Sequence, residues 1–95
     1  MNEGSAKVRY VVRFSGHVQG VGFRATTVEQ SRGLAVHGFV RNEPDGSVRL
    51  DVEGSEESLR ELLRRIRAVM RSYIDDVEVH QELPEGREGP LQIVP

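Results

Sequence analysis

The sequence predicts an α+β fold, a two-layer sandwich in which two helices lie on one face of a largely antiparallel sheet. Three observations support this prediction. Several segments alternate apolar and polar residues with period two, which is typical of half-buried strands. The segment 55–70 instead repeats its apolar residues at helical spacing. In chain order the predicted elements then read βαββαβ, followed by a short final strand.

The first elements are a strand, a glycine-rich loop and a helix. A helix is predicted from Phe23 to about Arg32, because no strand alternation or breaker appears before Gly33. Glycine commonly follows the last turn of a helix. The apolar face of this helix is thin, so its prediction depends on the flanking residues. The alternating apolar residues of the first strand are Val8, Tyr10, Val12 and Phe14.

A hairpin is predicted next. The segment 34–42 carries Val36, Gly38 and Val40 on one face, and a second alternating segment covers 48–53. Between them lies Glu43-Pro44-Asp45-Gly46, a combination typical of tight turns.

The second half of the chain is predicted to hold a long helix and two strands. Gly54 and Ser55 open the helix, which is strongly amphipathic. A strand covers 74–79, a proline- and glycine-containing loop covers 83–90, and a short strand follows at 91–93. This order is the split-βαβ, or ferredoxin-like, arrangement. Because that fold hosts many activities, it does not by itself specify a function. The apolar residues of the second helix are Leu59, Leu62, Leu63, Ile66, Val69 and Met70.

Composition limits the possible function classes. Ninety-five residues suit one domain, predicted over 7–95 after a disordered segment 1–6. A formal net charge of −2 disfavours non-specific nucleic-acid binding. The absence of cysteine rules out disulfides, thiolate zinc sites and cysteine nucleophiles. No apolar run approaches the roughly 18 residues that span a bilayer. We therefore expect a cytoplasmic protein without a membrane partner.

The stretch GHVQGVGFR at 16–24 has the composition of an anion-binding loop. It places Gly16, Gly20 and Gly22 between the first strand and the first helix. Glycine allows the backbone to turn its N–H groups inward, and a helix N-terminus adds unpaired donors and a positive dipole end. A phosphate or a carboxylate is the expected ligand.

Arg24 lies where a cation is unfavourable. The second helix follows the usual rules, with Ser55, Glu56 and Glu57 at its start and arginines in its last turns. The first helix carries Arg24 in its first turn and no acid until Glu29. A bound anion would reverse the sign of this interaction, since arginine chelates phosphate oxygens. The alternative is an exposed arginine whose small cost of about 0.3–1 kcal/mol is tolerated.

Asn42 is the second candidate functional residue. It ends the predicted second strand, where the loop after the first strand can approach it if both strands are central. Asparagine is also common at strand ends because its side chain caps the local backbone. A functional role and a capping role both remain open for this residue.

Two blocks of the sequence resemble the signature blocks of the acylphosphatase family. The first is GHVQGVGFR at 16–24, and the second is GFVRN at 38–42 with DGSV at 45–48. The likeness extends from about Val8 to Gly54 with the block spacing intact. Two such blocks at the right separation are far more specific than a lone glycine motif.

The resemblance implies a ferredoxin-like enzyme that hydrolyses small-molecule acyl phosphates to a carboxylate and inorganic phosphate. It implies that Arg24 binds the phosphate and that Asn42 holds a water which attacks in line, with no covalent intermediate. No metal or other cofactor is expected, and we expect a monomer. The implied phosphate-binding loop comprises His17, Val18, Gln19, Gly20, Val21, Gly22 and Phe23.

Three departures from the family pattern bear on substrate preference and packing. Phe39 stands where many members have tryptophan, and Ala25 stands where an aromatic residue is common. The segment 70–73 replaces a frequent Gly-Pro. None of these positions is assigned to catalysis.

Two other functions compete with this hypothesis. The fragment 38–40 resembles part of an aromatic strand motif of RNA-binding βαββαβ modules, but further stacking aromatics are absent from that strand. A non-catalytic ligand-sensing module could also keep Arg24 and Asn42 without turnover. Phosphate release from an acyl phosphate distinguishes these hypotheses.

The remaining polar features are predicted to be structural. The acidic pairs 56–57 and 75–76 lie at element starts, and the arginine-rich face of the second helix is expected to be solvated. The three histidines, His17, His37 and His80, lack metal-ligand spacing.

Overall fold

The computed structural model describes residues 6–95. A short 3₁₀ helix, Arg71–Tyr73, connects the last helix to the fourth strand. Apart from Ala6, the N-terminal segment predicted to be disordered lies outside the described residues. The elements are β1 (Lys7–Gly16), α1 (Phe23–Gln30), β2 (Val36–Asn42), β3 (Val48–Ser55), α2 (Glu56–Val69), β4 (Ile74–Glu82) and β5 (Gln92–Val94).

The strands form one sheet in the order β4-β1-β3-β2-β5, with both helices packed on one face. Every pairing is antiparallel except that of β5, which runs parallel to β2. Since β1 and β2 are both antiparallel to β3, they are parallel to each other. The carboxyl ends of β1, β2 and β5 therefore lie at the same end of the sheet.

The core lies between the sheet and the two helices. The alternating apolar residues of β1 and β3 and the apolar stripe of α2 meet there, as their periodicity predicts. In contrast, α1 buries only Phe23 and Thr27, in agreement with its thin apolar face. The ring of Phe23 packs on that of Phe14 with centroids 5.0 Å apart. This contact fixes the start of α1 against the end of β1.

The observed element bounds differ slightly from those predicted. The helix α1 ends at Gln30, because the chain turns through Ser31 and reaches Gly33 with φ 81°. The strand β2 begins at Val36, since the N–H of Leu34 still donates to the Ser31 carbonyl, 3.0 Å away. The strand β4 extends to Glu82, three residues beyond its last predicted apolar residue.

The face of the sheet opposite the helices is partly covered by the segment 83–90, which we call the strap. Alternation predicts solvent exposure for the polar residues of β3, but Asp51 and Glu53 are 1 % and 0 % exposed. The carboxylate of Glu53 accepts hydrogen bonds from the N–H groups of strap residues 85–87, at 2.9–3.2 Å. The strap, which lies far from β3 in sequence, therefore accounts for the burial of these polar side chains.

Asp51 is held by three arginines on the same face. Arg9 donates two hydrogen bonds to it at 2.8 and 2.9 Å, Arg87 donates one at 2.6 Å and Arg49 donates one at 3.1 Å. Burial by itself raises the pKa of the Asp51 carboxyl, but these guanidinium groups outweigh burial and hold the pKa well below its usual range. The sheet therefore has a charged, hydrogen-bonded layer under the strap.

No helix within residues 6–95 is both long enough and apolar enough to cross a bilayer.

Candidate active site

A cavity of about 230 Å³ lies at the end of the sheet where β1, β2 and β5 finish. The two residues singled out from the sequence, Arg24 and Asn42, both line it, although they come from different elements. Ile93 of β5 also lines it. The full lining comprises Val18, Gly20, Gly22, Phe23, Arg24, Ala25, Asn42 and Ile93.

The loop that forms one wall starts at an irregularity at the end of β1. The register of β1 against β4 shifts between Ser15 and Gly16, and Gly16 has φ 123°. The N–H of His17 then donates to the Tyr73 carbonyl at 2.9 Å. A Cβ on Gly16 would lie 2.6 Å from that same oxygen, so no larger residue fits. The start of the loop is thus fixed against the 3₁₀ helix.

The loop ends at the uncapped N-terminus of α1. Gly22 is the N-cap in a left-handed conformation, φ 76°, and its carbonyl accepts the first helical hydrogen bond from Thr26 at 2.9 Å. No side chain caps this end, and the first turn holds no acid. Within the described chain, no acceptor pairs with the N–H groups of residues 18–23. Such a run of free donors at a positive dipole end suits an anion.

Arg24 projects from the first turn of α1 into the cavity lining. One of its guanidinium nitrogens, Nη1, donates to the carbonyl oxygen of Val94 at 3.0 Å. Among residues 6–95 no carboxylate lies within ion-pair distance of Arg24. The side chain is therefore oriented by a neutral group, and its positive charge is not compensated.

Asn42 does not act as the local cap that its position allowed. The turn after it is closed by the Glu43 N–H donating to the Ser47 carbonyl at 2.8 Å. Within this turn, the Asp45 carboxylate accepts hydrogen bonds from the Ser47 N–H at 2.9 Å and from the Ser47 hydroxyl at 2.6 Å. No residue in the described part of the chain hydrogen-bonds the side-chain amide of Asn42. The amide is free at the cavity.

Asp45 stabilises the turn as an anion. Hydrogen bonds from the hydroxyl and the N–H of Ser47, together with one from Arg13 at 2.8 Å, hold the pKa of the Asp45 carboxyl well below its usual range. The Asp45 carboxylate is accordingly ionised near neutral pH, where it accepts these hydrogen bonds in the turn that follows Asn42.

Gln19 connects the two walls of the cavity. Its side-chain amide nitrogen donates to the Glu43 carbonyl at 2.8 Å and to the Ser47 carbonyl at 2.9 Å. The loop is thereby tied to the turn that follows Asn42. This side chain supports the geometry of the site from outside the cavity lining.

The other predicted loop residues divide into two groups. The side chains of Val18 and Phe23 are buried in the core and form the floor of the cavity. His17 and Val21 do not contribute to the lining. Contacts between this loop and an anion would therefore involve main-chain N–H groups rather than these side chains.

Three larger grooves lie elsewhere on the surface formed by residues 6–95. The largest, about 710 Å³, runs along the first turns of α2, where Glu56 pairs with Arg60 at 2.9 Å and Glu61 pairs with Arg64 at 2.7 Å. Hydrogen bonds from Arg64 and Arg65 lower the pKa of Glu61 to about 2. These charges compensate one another on a solvated helix face. The other two grooves, about 620 and 440 Å³, are likewise lined by charges of both signs.

The aromatic residue that suggested an RNA-binding surface is already occupied. The guanidinium groups of Arg41 and Arg87 both lie over the ring of Phe39, each 5.5 Å from its centroid. The ring thus already makes two cation–π contacts within the protein, and a base stacking in their place would have to displace an arginine.

The contribution of β5 to the site was not predicted from the sequence. The sequence predicted a short final strand, but nothing in residues 91–95 indicates that Val94 would meet Arg24 or that Ile93 would line the cavity. Both contacts depend on the parallel pairing of Val40 with Ile93 and of Arg41 with Val94. That register joins segments about fifty residues apart, and no local pattern encodes it.

Comparison with known protein families gives one consistent result. The family model described as "Acylphosphatase" matches residues 10–91. The acylphosphatase of Thermococcus kodakarensis is 43% identical over 84 residues, which cover 87% of this chain and 92% of that protein. The acylphosphatase of Chloroflexus aurantiacus is 41% identical over 88 residues, covering 92% and 96% respectively.

A similar solved structure is that of acylphosphatase from Bacillus subtilis. It superposes with a TM-score of 0.81 at 27% identity, covering 92% of this chain and 98% of that one. The ferredoxin-like α+β fold predicted from the order of elements is confirmed.

Proposed function

Since the chain belongs to the acylphosphatase family and is a hydrolase of acyl phosphates, we propose that it acts by direct in-line attack of water on phosphorus. The observation that supports this mechanism is the shared cavity of Arg24 and Asn42 beside the free N–H groups of the loop. One part of the site suits an anion, and the other offers an unpaired amide to a water molecule.

The phosphoryl group is held by positive electrostatics. Its oxygens accept hydrogen bonds from the main-chain N–H groups of residues 18–23, which are unpaired within the described chain, and from the guanidinium of Arg24. The Val94 carbonyl, 3.0 Å from Arg24 Nη1, restricts the guanidinium orientation before substrate binds. Fixed donors of this kind stabilise charge on the phosphoryl oxygens without reorganisation during the reaction.

Asn42 orients the attacking water. Its side-chain oxygen accepts a hydrogen bond from the water and directs a lone pair of the water oxygen at phosphorus. As the new P–O bond forms, the bond between phosphorus and the acyl oxygen breaks, and its electron pair leaves with the carboxylate. The proton of the water passes to a phosphate oxygen or to solvent.

This reaction requires few groups, because a carboxylate is a weak base that leaves without a proton donor. Positioning and fixed positive charge supply most of the acceleration. None of the side chains lining the cavity is a nucleophile, which supports direct attack by water rather than a covalent intermediate.

The test is phosphate release from benzoyl phosphate with a chelator present. We expect turnover by the unmodified chain and a loss of about 10²–10³-fold in kcat for Asn42→Ala, the size expected when one positioning or stabilising group is removed. The affinity for inorganic phosphate, measured by titration calorimetry, should change little, because Arg24 and the loop remain.

Gln81→Ala, on the exposed surface of β4, is the control and should retain full activity. Absence of turnover by the unmodified chain, with phosphate still bound, would instead indicate a non-catalytic anion-binding module. An unchanged kcat in Asn42→Ala would refute the water-orienting role.

A further inference from the structure

We propose that Ile93 forms an apolar contact surface for the acyl group and selects acyl phosphates whose acyl group is an uncharged hydrocarbon. The proposal rests on the proposed function and adds a substrate class to it. It follows from the size of the cavity, the chemistry of its exposed rim and the distribution of charge around it.

The cavity is too small to enclose a whole substrate. Its volume of about 230 Å³ lies below the roughly 300–1,000 Å³ typical of pockets that enclose a small organic ligand. The polar end of the cavity, with Arg24 and the loop, takes the phosphoryl group. The acyl group must then extend to the rim, where it meets side chains that are partly exposed.

Ile93 is the one large apolar side chain at that rim among the residues that line the cavity. It is 48 % exposed, while the other large apolar members of the lining, Val18 and Phe23, are buried below the floor. The remaining exposed members near it, Gly20, Gly22 and Ala25, offer little side-chain surface.

The position of Ile93 is fixed by the strand that carries it. Leu91, two residues earlier and on the same face, is 4 % exposed and anchors β5 in the core. Ile93 itself is held by its pairing with Val40. Val94 is held by the hydrogen bond that its carbonyl accepts from Arg24. Ile93 is therefore an exposed apolar side chain presented by a fixed strand, beside the residue proposed to hold phosphate.

The rim offers no second cation. Arg24 is the single charged residue of the lining, and the phosphoryl group uses it. Arg41, close to Asn42 in sequence, donates to Glu43 at 3.0 Å and stacks on Phe39. A carboxylate or phosphate on the acyl group would thus lie against Ile93 without a partner, which is unfavourable. An uncharged hydrocarbon would gain contact area instead.

The experiment compares kcat/KM for three substrates, namely benzoyl phosphate, acetyl phosphate and succinyl phosphate, whose acyl group carries a free carboxylate. Because these compounds differ in intrinsic reactivity, the measured quantity is the ratio of two substrates in a variant relative to the same ratio in the unmodified chain. Ile93→Ala should lower the benzoyl-to-acetyl ratio about three- to tenfold, since a partly exposed apolar contact is lost. Ile93→Lys should raise the succinyl-to-benzoyl ratio by a similar factor.

Val79→Ala is the matched control. Val79 is 41 % exposed on β4, the opposite edge strand of the sheet, so its truncation removes a comparable side chain far from the cavity. Both the benzoyl-to-acetyl and the succinyl-to-benzoyl ratio should remain as in the unmodified chain. Circular dichroism is used to check that each variant is folded. If Ile93→Ala loses β5, Ile93→Thr replaces it, because threonine keeps a branched β-carbon suited to a strand.

Unchanged ratios in folded, active Ile93 variants would overturn this inference while leaving acyl phosphate hydrolysis intact. Failure of the unmodified chain to release phosphate from any of the three substrates would overturn the proposed function itself. The two failures are thus distinguishable.

Discussion

At the scale of single residues, Arg24 combines an unfavourable position with an incomplete set of partners. A cation in the first turn of a helix costs about 0.3–1 kcal/mol. The structure supplies no carboxylate that would offset this cost, only the Val94 carbonyl at 3.0 Å. An exposed arginine could have turned back into solvent, but this one lines a cavity next to unpaired N–H groups. Its position is accounted for if an anion is bound there in the working state.

Replacement of Arg24 should therefore lower activity far more than it changes stability. We expect Arg24→Ala to lower kcat/KM for benzoyl phosphate by about 10³-fold or more. The reason is that the substitution removes the positive charge that stabilises the phosphoryl oxygens in the transition state. In phosphate-free buffer its free energy of unfolding should change by less than about 1 kcal/mol, since removal of the unfavourable dipole interaction and loss of the hydrogen bond to Val94 oppose each other. Steady-state kinetics and thermal unfolding measure the two effects.

Added phosphate gives a further comparison for this variant. It should raise the Tm of the unmodified chain, because a ligand that binds the native state stabilises it, and should raise that of Arg24→Ala far less. The control is Arg32→Ala, at a residue of the turn after α1 that is 77 % exposed and pairs with Glu29 at 3.3 Å. Full activity in Arg24→Ala would contradict the assignment.

At the scale of elements, the strap and β5 form one continuous segment that crosses the sheet and ends at the cavity. Glu53 fixes the strap through three main-chain N–H groups, and Arg87 of the strap donates to Asp51 at 2.6 Å. The strap then leads directly into β5, whose three residues pair only with β2. The short edge strand that positions Val94 is thereby stabilised from a face of the sheet remote from the cavity.

Glu53→Gln should weaken this segment. A glutamine side chain presents an N–H₂ group where the carboxylate accepts hydrogen bonds, so at least one strap N–H is left unpaired in a buried position. We expect the free energy of unfolding to fall by about 2–4 kcal/mol, the cost of losing charged hydrogen bonds in a buried site. Chemical denaturation measures this loss, and hydrogen exchange should show faster exchange at residues 85–87.

Glu88→Gln is the matched control for this change. Glu88 lies in the same strap and is exposed, so its replacement should alter stability by less than about 0.5 kcal/mol. Equal effects of the two substitutions would show that the buried hydrogen bonds of Glu53 do not hold the strap.

At the scale of the whole molecule, the charged layer under the strap makes the free energy of unfolding depend on pH in the acidic range. Burial alone would raise the pKa of Glu53, but hydrogen bonds from the N–H groups of Glu85, Arg87 and Gly86 outweigh burial and lower it. The pKa of Asp51 is lowered by its arginine partners in the same way. Groups whose pKa is lower in the folded than in the unfolded state stabilise the fold while they are ionised.

The expected pH profile follows from these directions. The stabilisation is fully present above the ordinary pKa values of 3.8 for aspartate and 4.5 for glutamate. It should decrease as the pH falls through those values toward the lower pKa values of the folded state. Urea unfolding between pH 7 and pH 2 should therefore show a constant midpoint down to about pH 5 and a progressive decrease below it.

Asp51→Asn isolates the buried carboxylate in this profile. The variant should be less stable than the unmodified chain at pH 7. The difference should shrink toward pH 2, because below about pH 3.8 the aspartate of the unfolded chain binds a proton that the folded chain does not, which favours unfolding of the unmodified chain only. A difference that is constant with pH would exclude ionised Asp51 as the source.

The sequence alone determined what depends on near neighbours along the chain. Period-two alternation located β1 and β3, helical spacing located α2, and the Ser55 cap located its start, because each signal lies within one element. The unusual position of Arg24 and the two family blocks identified the candidate residues for the same reason.

Only the tertiary structure decided which distant segments meet. The parallel pairing of β5 with β2 brings Val94 to Arg24 and Ile93 to the cavity, and the strap buries Asp51 and Glu53. Gln19 likewise acts on a turn more than twenty residues away. Such contacts depend on strand register and on the path that a segment takes across the sheet. The packing of the whole molecule sets both, and no periodic pattern in the local sequence indicates them.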